Sequence, residues 1–227
     1  MTDEPYRWLE AVANRREYIR DQLKQATPVF ALSRPEGVLL YGVGSGQSKV
    51  FEVYDRQALA ALGHPVDIEK VRQGLIEAAH LEGFTRSSED VTLRRLINFS
   101  LGPLLKTNFE QIFGAPVIVV ALLAEIGLTA AQDILARVNF DGTFQFVSGG
   151  IAVAHADLQR EQEATQWLEA QTKGDLSLNE VVKRARQAWT QFSGAEGLAG
   201  RVEEIGLLER RGTGRARYRA LDSQAIV

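Results

Sequence analysis

The 227-residue chain contains no cysteine and only three histidines, His64, His80 and His155. Without cysteine it can form no disulfide, no thiolate metal site and no cysteine nucleophile, which suits a reducing cytoplasm. The histidines lie far apart and have no carboxylates at ligand spacing. Each is therefore expected to be structural or solvent-facing, and neither a metal nor another cofactor is expected.

The chain also lacks a long apolar run and a strong charge bias. Its longest apolar segment, 115–124, is half of the roughly 20 residues that a membrane helix requires, so it predicts a buried strand. Residues 1–5 carry two acids and no basic segment, which argues against a secretory signal. The formal net charge of -3 argues against nucleic acid or anionic membrane as partners. We expect a cytoplasmic protein that binds neither.

The first half of the chain predicts a leading helix followed by short strands. The helix extends from about residue 5 to 25 and is capped by Thr2 or Asp3. Turn residues then separate four predicted strands, at 28–33, 38–43, 49–54 and 57–62. These four strands are expected to form one antiparallel sheet.

Helix pairs and strands then alternate. Asp67 is predicted to cap the first helix of a pair, and the second, at 91–113, contains Gly102-Pro103 and is expected to kink there. The remaining pattern predicts strands at 117–123, 134–140 and 143–147, helices at 158–171 and 178–192, and a hairpin of 202–208 with 215–221. Two sheets faced by helix pairs would bury every apolar face. The expected fold class is α+β, a four-layer α-β-β-α sandwich of two antiparallel sheets.

The glycine-rich segment 42–46 does not match a phosphate-binding loop. A dinucleotide loop opens a helix, and a P-loop has glycine directly before its lysine, whereas Gln47-Ser48 separates Gly46 from Lys49 and a strand follows. Ser45 also lacks the glycine spacing of a serine-hydrolase elbow. A mobile connector is the favoured interpretation of this segment.

Two segments carry a resemblance to a known family. The first is 49–56, KVFEVYDR, which continues into the apolar run 58–63; the second joins 90–92, DVT, to 95–98, RLIN. Together they resemble the α-subunits of bacterial, actinobacterial-type 20S proteasomes, of the Ntn-hydrolase superfamily. The resemblance implies a helical extension at 1–26, for gating and ring docking, and an α-β-β-α domain at 27–227.

The same resemblance implies a function and a set of partners. Such a chain is a non-catalytic α-type subunit whose heptameric ring stacks on rings of β-type subunits and controls entry to a threonine-type endopeptidase. A ring-shaped regulatory ATPase would deliver protein substrates, tagged or untagged. No small-molecule cofactor is implied.

Three positions decide whether this chain could itself be catalytic. Thr27 aligns with the family's nucleophile, which is reactive only when its own α-amine is free. Lys49 aligns with the family's active-site lysine, whereas the aspartate position falls on Val43. Thr27 and Val43 are thus expected to be degenerate active-site positions, and no residue of this chain is expected to be catalytic.

In α-subunits the lysine at the start of the third strand binds the C-terminal carboxylate of a regulatory ATPase tail. Lys49 matches that position, and Ala26 and Gly63 match the small residues that flank it. An ammonium pairs well with a terminal carboxylate in a partly desolvated groove. A surface lysine paired with a local acid such as Glu52 is the competing interpretation.

Two alternative functions remain open from the sequence. The chain could be a self-processing threonine hydrolase that cuts before Thr27, or a stand-alone homo-oligomeric scaffold that has kept the fold. Release of a mature form beginning at Thr27 would support the self-processing hydrolase. Recovery of β-type or ATPase partners argues against the second.

Overall fold

The protein has two five-stranded sheets with helices against their outer faces, described by a computed structural model over residues 4–195, 197–212 and 214–224. Thr2 and Asp3, predicted to cap the first helix, lie outside the described residues. The elements of the first half are α1 (Glu4–Leu23), β1 (Val29–Ser33), β2 (Gly37–Gly44), β3 (Val50–Tyr54), β4 (Gln57–Gly63), α2 (Pro65–Thr85), α3 (Leu93–Leu96), a π-helical turn (Ile97–Leu101) and α4 (Gly102–Glu110). Those of the second half are β5 (Val119–Glu125), a short 3₁₀ turn (Ala130–Gln132), β6 (Ile134–Val138), β7 (Phe144–Val147), β8 (Ile151–Ala154), α5 (Leu158–Gln171), α6 (Leu178–Phe192), β9 (Val202–Glu209) and β10 (Tyr218–Leu221).

The strands form two antiparallel sheets with the orders β10-β9-β2-β1-β8 and β3-β4-β5-β6-β7. One apolar cluster lies between the sheets, a second between the β4-β5 sheet and α2 to α4, and a third between the β1-β2 sheet and α5 with α6. Strands such as β2 and β5 are buried along their whole length because both of their faces are covered. The predicted α-β-β-α sandwich is confirmed.

The prediction that the first four strands share one sheet is wrong. β1 pairs with β2, and β3 pairs with β4, but the two hairpins belong to opposite sheets. The segment between β2 and β3 crosses from one sheet to the other. Each hairpin then finds its further partners far along the chain: β1 pairs with β8, β2 with β9, and β4 with β5.

The helix predicted at 91–113 is interrupted where Gly102-Pro103 lies. The backbone N–H of Gly102 donates to the carbonyl oxygen of Ile97, five residues earlier, which makes a π-helical turn. A π turn adds one residue, and so rotates the following helix by about 100° relative to a regular one. After this turn Leu105 is buried, whereas the neighbouring Leu104 is 47% exposed.

Helix α2 begins two residues before the predicted cap. His64 is its N-cap and Pro65 occupies the first helical turn, where the missing N–H of proline costs nothing. Asp67 is therefore inside the first turn, and its carboxylate accepts a hydrogen bond from the Ile118 N–H at 3.0 Å. The predicted capping role of Asp67 is wrong; the side chain ties α2 to the start of β5.

An ion pair closes one end of the sandwich. Arg210, just after β9, donates from Nη1 and Nη2 to the two carboxylate oxygens of Asp133, each at 2.8 Å. The Asp133 side chain is 1% exposed and that of Arg210 is 9% exposed. Arg210 also donates to the carbonyl oxygens of Arg34, Pro35 and Gly127. This single guanidinium thus joins the β1-β2 turn to the β5-β6 connection.

His155 follows β8 and is buried, at 6% exposure. Its Nδ1 accepts a hydrogen bond from the Asp157 N–H at 2.8 Å, and its Nε2 lies 3.1 Å from the Phe192 carbonyl oxygen. These partners select the neutral ring with hydrogen on Nε2. Burial lowers the pKa of His155 from its usual value; the Phe192 carbonyl opposes that shift and Arg160 adds to it.

We expect the free energy of unfolding to fall between about pH 7 and 5.5, and to fall less in His155→Gln. Unfolded histidine takes up a proton near pH 6.5, whereas folded His155 stays neutral to a lower pH. Its contribution is therefore complete above the unfolded pKa and is lost as the pH decreases, at no more than about 1.4 kcal/mol per pH unit. Urea unfolding at each pH measures the slope. Equal slopes for wild type and His155→Gln would contradict the prediction.

No helix among the described residues is long and apolar enough to cross a membrane. The same part of the chain contains no cluster of three or more histidine, aspartate or glutamate side chains that could hold a metal ion.

Candidate functional site

A cavity of about 320 Å³ lies at the end of the sandwich where β1 begins and β2 and β4 end. Its lining residues are distant in sequence. They meet here because, in an antiparallel sheet, the start of one strand lies beside the end of the next. Its lining residues include Gln22, Gln25, Ala26, Thr27, Gly44, Ser45, Gln47, Ser48, Lys49, Gly63, His64 and Arg201. The three predicted pocket residues, Lys49, Ala26 and Gly63, therefore line one cavity, together with Thr27.

Lys49 extends along the inner face of β2 toward Thr27. Its Nζ donates to the Thr27 carbonyl oxygen at 3.0 Å and to Thr27 Oγ1 at 2.6 Å. Among the described residues, no carboxylate forms an ion pair with this ammonium. Burial lowers the pKa of Lys49 to about 8; Glu204 partly offsets that effect, and Arg201 adds to it. The predicted alternative, pairing with Glu52, is absent from these contacts.

Glu204 on β9 fixes the backbone from which Lys49 projects. Its carboxylate accepts hydrogen bonds from the N–H groups of Lys49 at 2.8 Å and Val50 at 3.1 Å. Burial raises the pKa of Glu204, and these two N–H groups and the Lys49 charge oppose that shift. Glu204 thus anchors the start of β3. Sequence reasoning missed it, because the residue lies 155 positions away and belongs to no motif.

Thr27 is buried, and its hydroxyl both donates and accepts a hydrogen bond. Oγ1 donates to the Val43 carbonyl oxygen at 2.5 Å while it accepts from Lys49. Its nitrogen lies in the peptide bond that follows Ala26, so no free α-amine exists in the intact chain. The Val43 side chain is buried in the cluster between β1-β2 and the α5-α6 layer. It presents only its carbonyl oxygen to Thr27, and no negative charge.

Small residues keep the cavity open around Lys49. Gly44 lies against the lysine stem: a Cβ there would be 3.7 Å from Lys49 Cε and only 2.8 Å from the Gln47 carbonyl oxygen. Gly63 has a positive φ of 138°, and a Cβ would lie 2.1 Å from the Ile118 carbonyl oxygen. Glycine is required at 63 for the strand to pass Ile118 at this distance.

The cavity is electrostatically positive. Lys49 and Arg201 both line it, and the lining contains no carboxylate among the residues that the structure describes. Arg201 precedes β9 and was not predicted, since only the return of β9 beside β2 brings it here. His64, expected to be structural or solvent-facing, also lines the cavity. The arrangement suits a ligand with a carboxylate or another small anionic group.

Helix α1 closes the sandwich beside this cavity. Ile19 and Leu23 are buried in the cluster between the two sheets. Arg15, 9% exposed, donates to the carbonyl oxygens of Asn108 at 3.0 Å and Gly114 at 2.8 Å. The helix is therefore packed into the core and clamped to the end of α4. It runs directly into Thr27 through residues 24–26.

Sequence comparison identifies the family. No family model matches the chain, but curated relatives do. Proteins named proteasome subunit alpha from Salinispora arenicola and Salinispora tropica are each 30% identical, over 96% of this chain and 79% and 83% of their own lengths. The one from Streptomyces scabiei is 30% identical over 79% of this chain and 71% of its own length. The chain belongs to the proteasome α-subunit family. This confirms the resemblance that the 49–56 and 90–98 segments carry.

Membership of the proteasome α-subunits also agrees with the geometry at Thr27. The two sheets and the helix layers have the expected arrangement, and the 49–56 segment forms β3 with the start of its turn. The roles predicted for Lys49, Ala26 and Gly63 are a separate matter, because shared placement around a cavity does not by itself assign a ligand.

Proposed function

We propose that this protein is a non-catalytic α-type subunit of a proteasome core particle. Copies of the chain form a ring, heptameric as in the predicted assembly, that stacks on β-type subunits of a threonine-type endopeptidase. The leading segment, residues 1–26, narrows the entrance to the chamber. The observation that carries the proposal is the packed helix α1, which ends at Leu23 and is joined to Thr27 by residues 24–26 of the same chain.

The contacts of Thr27 support the absence of catalysis. An N-terminal threonine acts by passing its hydroxyl proton to its own free amine. Here that nitrogen is an amide, and the hydroxyl proton is held by the Val43 carbonyl oxygen. Cleavage before Thr27 would also have to release a helix whose Ile19 and Leu23 are almost fully buried. The alternative of a self-processing hydrolase therefore has both chemistry and packing against it.

The cavity supports a docking function for Lys49. A terminal carboxylate that enters beside Lys49 and Arg201 would meet two cations. These cations would compensate for the water molecules that the carboxylate loses on entering the cavity. Thr27 offers the Lys49 ammonium only two neutral oxygens. A carboxylate is therefore a stronger hydrogen-bond partner for this ammonium than Thr27 is. We assign this cavity to the C-terminal tail of a ring-shaped regulatory ATPase. Ala26 and Gly63 would allow the tail backbone to approach.

Co-expression tests the function. The purified chain alone is expected to form rings, or rings in equilibrium with smaller species, and to show no peptidase activity. Co-expression with a β-type subunit from the same cell should produce a stacked particle that hydrolyses peptides. Thr27→Ala in the α-type chain should leave that activity in place. Particle images count the subunits per ring, and peptide hydrolysis measures activity.

Two results would contradict the proposal. One is peptidase activity in the isolated chain that disappears in Thr27→Ala, together with a measured mass that matches a chain starting at Thr27. The other is a chain that never associates with β-type subunits or a ring ATPase in its own cell, which would favour the stand-alone scaffold. An intact mass of residues 1–227 in the assembled particle supports the α-type assignment.

A further inference from the structure

Lys49 differs in its partners from three other lysines of this chain. Lys24, Lys70 and Lys106 each form an ion pair with a carboxylate three or four residues away. Lys49 is held instead by two neutral oxygens of Thr27 and borders an open cavity. An amine in such a place is less strongly held in its protonated form than a paired lysine.

The hydrogen bonds also leave the nitrogen lone pair free. In the neutral amine two N–H bonds remain, and the two Thr27 oxygens accept both of them. The Thr27 hydroxyl cannot donate in return, because its own hydrogen is bound by the Val43 carbonyl oxygen. The third position on Nζ, which carries the lone pair of the neutral amine, has no hydrogen-bond partner among the described residues, and the side chain borders the cavity.

The charged and titratable groups around Lys49 favour a negatively charged reactant. Arg201, before β9, and His64, before α2, both line the same cavity. Glu204 on β9 is bound to backbone N–H groups and does not contact Nζ. Gln22 of α1 and Gln25, in the turn after that helix, contribute amides to the lining. An anion in this cavity would therefore meet the cationic side chains of Lys49 and Arg201 and the amides of Gln22 and Gln25.

We propose that Lys49 is a covalent modification site that accepts an acyl group from small acyl phosphates. The Nζ lone pair attacks the carbonyl carbon, the N–C bond forms, and the C–O bond to phosphate breaks. Phosphate leaves with the bonding electrons, and the proton lost by nitrogen passes to water. No oxidant or reductant is involved. The cavity of about 320 Å³ is large enough for a small-molecule ligand, and Arg201 attracts the phosphate group.

Acylation would also control docking, a consequence that rests on the proposed function. An acylated lysine has no charge and cannot pair with a terminal carboxylate. It would add its acyl group to the space that the tail needs. Modification of Lys49 would therefore separate the ring from its ATPase without dismantling the ring.

The test uses the full chain with acetyl phosphate as the probe. Initial acetylation rates are measured at each of the six lysines by peptide mass spectrometry between about pH 7 and 9. Near pH 7.5, Lys49 should react at least about tenfold faster than Lys24, since a desolvated lysine has much more of its neutral form at this pH. The Lys49 rate should be half-maximal near pH 8. Lys24, whose pKa is raised by Asp21, should still be accelerating at pH 9.

Two controls make the outcome decisive. In the chain unfolded by urea the preference for Lys49 should disappear, because it depends on the cavity and not on the local sequence. Lys49→Arg should leave the rates at the other lysines unchanged. Acetylation of folded Lys49 no faster than that of Lys24 would overturn the inference and leave the proposed docking function untouched.

A second measurement separates the two proposals. A synthetic peptide that ends in a free carboxylate is titrated against the acetylated and the unmodified ring. Selective acetylation of Lys49 with at least about tenfold weaker peptide binding supports both the site and its effect on docking. Selective acetylation with unchanged binding retains the modification site but contradicts the proposed carboxylate pocket.

Discussion

Lys49→Ala should abolish the stimulation of peptide hydrolysis by the partner ATPase while rings still form. The substitution removes the ammonium that would pair with the tail carboxylate and leaves that carboxylate in a partly desolvated cavity. Truncating one partner of such a pair costs about 2–5 kcal/mol, which corresponds to about 30-fold or more in affinity. The ratio of hydrolysis rates with and without ATPase is the measurement, and size-exclusion chromatography checks ring assembly.

Lys173→Ala provides a matched control at a solvent-exposed lysine, and stimulation should remain at the wild-type level. Lys49→Arg keeps the charge, but its larger planar head cannot reach the two Thr27 oxygens in the same way, so intermediate stimulation is expected. Arg201→Ala should weaken binding less than Lys49→Ala, because Arg201 borders the cavity from a loop. Full stimulation in Lys49→Ala would refute the role assigned to this lysine.

The helices of the second half could be predicted closely because their ends have local signals. α5 and α6 span the predicted 158–171 and 178–192. Asp157 caps the first by accepting the N–H groups of residues 159 and 160, and Ser177 with Glu180 forms a capping box at the second. Each signal lies within four residues of the boundary that it sets. The amino-acid pattern alone therefore identifies these helix starts.

Strand partners could not be predicted in the same way. β8 was not predicted, because it has four residues and follows two glycines. The expected four-stranded sheet failed because β1 and β2 obtain their outer partners, β8 and β9, from more than 100 residues away. Alternation of polar and apolar residues indicates that a strand is buried, but not which sheet covers it.

In the candidate site, too, some residues could be identified from the sequence and others only from the strand pairing. Thr27 and Lys49 were identified through the family resemblance, and the structure places their side chains in contact. Glu204 and Arg201 shape the same cavity from the β9 region, yet no spacing in the sequence connects them with Lys49. Their positions follow from the pairing of β9 with β2, in which Gly44 lies opposite Val202 and Gly42 opposite Glu204.

Arg210→Ala should destabilise the fold more than other single substitutions outside the apolar core. All five N–H donors of the Arg210 guanidinium are used, on Asp133 and on three carbonyl oxygens. Asp133 in turn accepts from Ser33 Oγ and the Gly127 N–H. Removing the arginine leaves a buried carboxylate without its counter-charge, at a cost of about 3–5 kcal/mol. Urea unfolding at a fixed protein concentration measures the change.

A double-mutant cycle shows whether the pair itself is responsible. Asp133→Ala should also destabilise the protein, but the double variant should lose less than the sum of the two single losses, because it leaves no isolated buried charge. Arg211→Ala, at the exposed neighbouring arginine, should change the free energy of unfolding by no more than about 0.5 kcal/mol. Strictly additive losses at 133 and 210 would show that the two side chains act separately, and that the closure of this end of the sandwich depends on the backbone contacts of Arg210 alone.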